Sequence, residues 1–187
     1  MKRALVLTAL LASFSAMAEP QNLIIDPVLT TPTFDVRHLA FTTQTGSFKQ
    51  LAGMISLDAA RHSGSVNLTV YMSSLDMGSP GWAAHLMSEG LFNVEKYPTM
   101  TYRSQNLVFD GDKVVGANGE LTLVGVTKPV RIVVSDFHCG QNLAGHKTLC
   151  GGDVTATIKR SDFGLTRYLA EVSDDVKVRV PLEAFAD

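Results

Sequence analysis

The chain has 187 residues, a formal net charge of −2, 45% hydrophobic residues and only 18% charged ones. A mildly acidic chain with scattered basic residues cannot grip phosphates electrostatically, which argues against a nucleic-acid partner. Apolar residues alternate with Thr, Ser and Asn more than with Lys and Glu, the composition of a β-protein.

The N-terminus reads as a secretory signal peptide spanning residues 1–18. Lys2 and Arg3 supply its positive start, Ala4 to Phe14 its apolar run, and Ala16 and Ala18 the small residues before cleavage. The run is too short for a membrane span, which needs about 20 apolar residues. Cleavage after Ala18 leaves one domain, residues 19–187, for the periplasm. Its net charge goes from −2 to −4 with the loss of Lys2 and Arg3. That length is enough to bury one core.

Ile24 and Ile25 open the strands, and Thr31-Pro32-Thr33 breaks them. Phe34 to Phe41 predicts an alternating strand, with Phe34, Val36 and His38 on one face and Asp35 and Arg37 on the other. A turn is expected near Thr45-Gly46, with Phe48 to Leu57 pairing back and Gly53 as a bulge or close approach. Ala59 to Gly64 reads as a turn. From Ser65 to Met72, Val66, Leu68 and Val70 share a face. Trp82, His85 and Leu86 then fall at i, i+3 and i+4, marking one short helix after Pro80-Gly81.

Strands resume over Thr99 to Ser104, Asn106 to Phe109 and Lys113 to Ala117, with an Asp110-Gly111-Asp112 hairpin turn between the last two. Gly119 to Val124 follows, then a turn over Gly125 to Pro129. Val130 to Val134 is an apolar strand, and Phe137 to Gly152 a loop-rich excursion. Val154 to Ile158 alternates, Asp162 to Leu165 turns, and Asp175 to Leu182 closes with Val176, Val178 and Val180 on one face. That one short helix apart, no helices lie between strands, so there are no βαβ units. The expected fold is all-β: an antiparallel eight-stranded barrel with a short helix, able to hold one small ligand.

Cys139 and Cys150 lie in the exported part, where a disulfide is the default. It would close a loop of about a dozen residues, worth about 2–3 kcal/mol by chain entropy. With His138 and His146 the same cysteines suggest zinc, but their spacing matches no standard finger. No Gly-x-Ser-x-Gly elbow and no diagnostic His–carboxylate pair points to catalysis. Only His38 and His85 would serve an enzyme acting on a lipid or quinone. They also suit polar contacts to a ligand head group in an apolar cavity. Phe34, Val36, Phe41, Phe48, Trp82, Leu86, Phe92, Tyr102 and Phe163 are candidate walls for its tail, with Met54 and Met72 as adaptable surface.

Several stretches carry a family signature. They are Phe34 to Leu39, Gly46-Ser47-Phe48, Gly53-Met54-Ile55, His85-Leu86, Leu91 to Thr99, Gly119 to Val130 and Ile158 to Leu165. In this order, and over nearly all the mature chain, the sequence resembles the YceI-like family. The resemblance implies an extended lipocalin-like barrel in the periplasm. It would bind an isoprenoid or quinone-like amphiphilic lipid, without catalysis and without another cofactor. It also suggests a membrane partner such as a b-type cytochrome, and a homodimer is a further candidate assembly. The family pattern carries charges where this chain has Trp82, Ala83, Met87 and Gly90, so this helix is more apolar. An interaction protein docking through that helix is the alternative reading.

Overall fold

The computed structural model describes residues 19–142 and 147–187. The expected signal peptide and His146 lie outside these described residues. Eleven strands form one antiparallel sheet: β1 (Gln21–Ile25), β2 (Thr33–His38), β3 (Thr42–Phe48), β4 (Leu51–Asp58), β5 (Ser63–Tyr71), β6 (Leu75–Asp76), β7 (Thr99–Asp110), β8 (Lys113–Leu123), β9 (Val126–Gln141), β10 (Thr148–Lys159) and β11 (Asp175–Ala186). One helix, α1 (Pro80–Met87), lies between β6 and β7.

Eight strands close on themselves in the order β1-β4-β5-β7-β8-β9-β10-β11, with β11 returning to β1. The all-β, eight-stranded barrel is therefore present. Beyond it, β11 changes partner along its length. Its C-terminal half pairs with β1 through Ala184 to Ala186, and its N-terminal half with β2 through Lys177 to Arg179. There β2, β3 and β6 extend the wall past the end of β1, which makes the barrel a long tube.

Period-two alternation sets the faces as the sequence suggests. Val66, Leu68 and Val70 on β5, and Val176, Val178 and Val180 on β11, all face the interior. The outer face carries polar partners such as Arg179, which donates to Asp35 at 2.8 Å. The Gly111-Asp112 hairpin loop forms where Asp-Gly predicts it, with Gly111 at φ +56°.

Other boundaries differ. Thr45 and Gly46 are not a turn but the middle of β3, which pairs with β2. The turn comes earlier, at Leu39 and Ala40, both at positive φ (+49° and +58°). Gly46 is glycine because a Cβ there would overlap the Phe34 ring and the Met77 sulfur. Phe48 to Leu57 consequently does not pair back on the opening strand; β4 pairs with β1 and β5 instead. Gly53 is a close-approach site, with Ile25 Cδ1 2.8 Å from where its Cβ would stand. Thr99 to Phe109 is one strand with an irregularity at Ser104, whose hydroxyl donates to Asn118 O at 2.7 Å.

Gly125 to Pro129 is likewise mostly strand. The loop is only Val124-Gly125, both at positive φ (+45° and +78°). Strain at a β-branched residue there is offset by packing: Val124 joins the core, and Gly125 lies against the Tyr97 ring. Pro129 is tolerated because β9 pairs with β8 alone over residues 126–132, β10 joining only at Val133. The excursion expected over Phe137 to Gly152 is mostly the ends of β9 and β10. Cys139 and Cys150 sit directly opposite one another on these strands and are disulfide-bonded.

Candidate functional site

The barrel encloses a cavity of about 660 Å³ whose walls are almost wholly apolar. That volume is in the range of small-molecule sites, roughly 300–1,000 Å³. Its floor lies at the β7–β8 hairpin end, where Leu107, Val114 and Ala117 form a packed cluster with Leu57. Its middle is lined by β5, β7, β8 and β11. At the opposite end Trp82, His85, Arg167, Tyr168 and Glu171 line the cavity yet remain exposed, so the cavity opens there.

Three separate segments build this mouth: the end of β2, helix α1, and the mouth loop, residues 164–174. His38 bridges to Val172, and the Leu39 N–H donates to Glu171 O at 2.6 Å. The His38 and Trp82 rings stand 6.0 Å apart, edge to face, and the His85 and Tyr168 rings are also 6.0 Å apart. Both histidines therefore border one cavity. The mouth loop is held from beneath by Arg160, which is buried. Its guanidinium donates to Leu165 O (2.6 Å), Arg167 O (2.7 Å), Val172 O (2.9 Å) and Ser173 O (3.0 Å). Burial pushes its pKa below the ordinary arginine value, with Asp174 opposing the shift. Asp174 accepts from the Ser161 N–H (2.9 Å) and hydroxyl (2.8 Å), and these bonds hold its carboxyl below the usual carboxylate range.

Within the tube, Tyr102 carries a buried hydroxyl group. It donates to Val130 O at 3.1 Å or Ala117 O at 3.3 Å. Burial raises its pKa to about 12, so at neutral pH it is a fixed neutral donor. Gly119 makes room for it, since a Cβ there would lie 2.7 Å from Tyr102 Cζ.

Of the residues expected at the site, Phe34, Val36, His38, Phe48, Trp82, His85, Leu86, Phe92 and Tyr102 line the cavity. Four lie elsewhere. Phe41 is 83% exposed, carried outward by the Leu39-Ala40 turn. Met54 is on the outer face of β4, opposite in alternation to Ile55 and Leu57, which line the cavity. Met72 and Phe163 begin and end 3-10 turns and are buried in the packed core. Sequence reasoning missed Arg160, Arg167, Tyr168 and Glu171. They lie on a non-periodic stretch, where neither strand nor helix spacing marks a face.

Known proteins resemble this chain in sequence and in fold. Residues 23–184 match the YceI-like domain. A UPF0312 protein of Pectobacterium atrosepticum is 32% identical over 177 residues, covering 94% of this chain and 88% of that protein. The crystal structure of the Campylobacter jejuni YceI protein superposes with a TM-score of 0.70 at 24% identity, covering 80% of this chain and 89% of that one. A polyisoprenoid binding domain from Saccharophagus degradans, implicated in plant cell wall breakdown, superposes with a TM-score of 0.65 at 19% identity, covering 90% of this chain and all of that one. The structural likenesses speak for the fold, whereas the domain match spans nearly the whole described chain, and on it the chain belongs to the YceI-like family.

Proposed function

We propose that this protein binds a long apolar or isoprenoid-type lipid inside its barrel, in the periplasm, and does no chemistry on it. The observation that carries this reading is the tube itself: apolar from the floor to just below the mouth, with ionisable side chains gathered at the mouth. An amphiphile fits that polarity in one direction only, tail to the floor and head to the mouth. Phe34, Val36, Phe48, Leu86, Phe92 and Tyr102 contact the tail in this reading, and His38, His85 and Trp82 stand near the head. Each buried methylene contributes about 0.8 kcal/mol before the cost of ordering the chain. The name of the Saccharophagus degradans domain points to the same ligand class. The signal peptide expected over residues 1–18 and the Cys139–Cys150 disulfide agree with an oxidising compartment. A non-catalytic role is supported by Tyr102, whose hydroxyl is committed to backbone carbonyls. A b-type cytochrome partner finds no support in the fold or the relatives, and neither it nor a homodimer is part of this proposal.

Organic extraction of the protein purified from the periplasm, followed by mass spectrometry, tests the reading. One long-chain lipid per protein is expected. Protein that is reproducibly free of lipid, and that takes up no polyprenol or quinone when offered it, would overturn it.

A further inference from the structure

The rim of the mouth carries large exposed apolar side chains, of which Leu39, Phe41 and Leu169 belong neither to the core nor to the tube, while Trp82 and Tyr168 stand at its edge. Phe41 is 83% exposed and Leu39 48% on the turn after β2; Tyr168 and Leu169 are each 43% exposed on the mouth loop; Trp82 is 49% exposed on α1. These three segments are far apart in sequence, yet they meet at the mouth: the His38–Val172 bridge and the Leu39–Glu171 bond join the turn to the mouth loop, and the His38–Trp82 and His85–Tyr168 ring contacts bring in α1. Scattered exposed apolar residues are ordinary on a soluble surface. Met54 and Val133 are of that kind, single side chains on the outer wall. Ile24, Val28 and Leu29 lie on the side wall, where β11 passes from β1 to β2.

The rim is different in two respects. Its turns hold Leu39, Ala40 and Tyr168 at positive φ (+49°, +58° and +61°), a conformation that costs a non-glycine residue about 1 kcal/mol or more. Those turns are also tied down, by the Arg37 guanidinium on Ala40 O and by Arg160 on Arg167 O. Rigid turns therefore present apolar side chains to solvent where glycine or asparagine would sit at lower cost. Moreover, the patch borders the opening of an apolar tube.

We infer that this rim inserts into the interfacial layer of a lipid bilayer and seats the mouth of the cavity on the membrane. The inference rests on the lipid-binding reading. A lipid tail leaving the bilayer would then pass into the tube without crossing water, which removes the exposure of its methylenes from the transfer path. Trp, Tyr, Phe and Leu are suited to this layer, because amphipathic rings settle at headgroup depth. The charges lining the mouth, Arg167 and Glu171, have opposite signs, so insertion is driven by apolar burial and needs no anionic lipid.

Trp82 is the only tryptophan in the chain and reports on its own surroundings. The test is flotation of the lipid-loaded, purified protein with phosphatidylcholine vesicles at low and high salt. Trp82 emission is followed with brominated acyl chains as quencher. The expected result is co-flotation that survives salt, with a blue shift and quenching of Trp82. Phe41→Asp and Leu169→Asp lie outside both core and tube. Each is expected to lower vesicle binding about tenfold, the equivalent of losing burial of roughly half a large side chain. Val133→Asp, on the outer wall, is expected to leave binding unchanged. Wild-type protein that carries lipid but does not float would overturn the docking and leave the lipid-binding reading intact. Flotation by Phe41→Asp and Leu169→Asp equal to wild type would also overturn it. So would a concentration-dependent dimer, lost in Phe41→Asp, in place of flotation. Protein that floats but yields no lipid on extraction would defeat the lipid-binding reading alone.

Discussion

At the floor of the barrel, the β4–β5 and β7–β8 hairpins, the β9–β10 pair and the paired ends of β1 and β11 close the tube by continuous ladder. At the mouth the ladder is only partial, reaching it through the β2–β3 and β8–β9 hairpins. A turn, a short helix and an irregular loop meet there, and a single buried arginine ties the loop down. The floor spreads its stability over many hydrogen bonds and packed apolar side chains, each replaceable at modest cost. The mouth concentrates it in few groups, as expected of the part of a binding protein that must open. The two ends should therefore respond differently to the same kind of damage.

The largest effect is expected at Arg160. Arg160→Met keeps much of the stem but leaves four carbonyls without their donor. Buried unpaired acceptors cost about 1–3 kcal/mol each. Loosening of the loop relieves part of this, so a loss of about 3–4 kcal/mol is expected by urea denaturation. Hydrogen exchange should accelerate over residues 164–174 and at His38 and Leu39, while the β7–β8 hairpin keeps its protection. Uniform acceleration at both ends would remove the contrast.

The same contrast explains what could be read from the sequence. The strands of the floor and middle were legible because ladders impose period two: Val66-Leu68-Val70 and Val176-Val178-Val180 reveal their inner face directly. Asp110-Gly111 marked its hairpin for an equally local reason. Glycine misled where its cause was non-local. Gly46 is required by the Phe34 ring on the next strand, and that contact leaves the same mark as a turn. The mouth was half legible. Trp82, His85 and Leu86 followed helical spacing, and His38 continued its strand. Phe41 was picked as an apolar residue at the end of that strand, although alternation puts it on the face of Asp35 and Arg37, and the chain turns before it. Met72 and Phe163 were recognised as apolar without any signal separating core from tube wall. Arg160 was illegible, because four carbonyls from a loop downstream define its role and none leaves a mark beside it.

At the floor, the corresponding single link is the Cys139–Cys150 disulfide, between directly paired residues of β9 and β10, with Cys150 wholly buried beside Leu23 and Ala184. Replacing both cysteines with alanine should cost about 2–3 kcal/mol by loop-closure entropy. Because the ladder on either side remains, the loss should be global. It should appear as a lower denaturation midpoint with no selective opening of the mouth loop and no change in bound lipid. Loss of lipid in this variant would mean that the floor, too, controls occupancy.

The smallest effect is expected from acid, and it separates the ends most finely. Each end has one carboxylate held below its ordinary value of 3.8: Asp58 near the floor, by bonds from Arg61, and Asp174 at the mouth, by bonds from Ser161. A depressed folded pKa contributes stability that is fully present above the unfolded value. That stability is lost as pH falls through 3.8 and then through the folded pKa. Wild-type protein should therefore lose stability from both ends below about pH 4, the unfolded value for such a group. Asp174→Asn should be destabilised relative to wild type at pH 7, with the gap closing as pH falls. Its excess hydrogen exchange should be confined to the mouth loop. Asp58→Asn should show the same closing gap in global stability while the mouth loop exchanges as in wild type. If both variants opened the mouth loop equally, the two ends would be one cooperative unit, and the concentration of stability at Arg160 would have to be abandoned as the reason the mouth opens first.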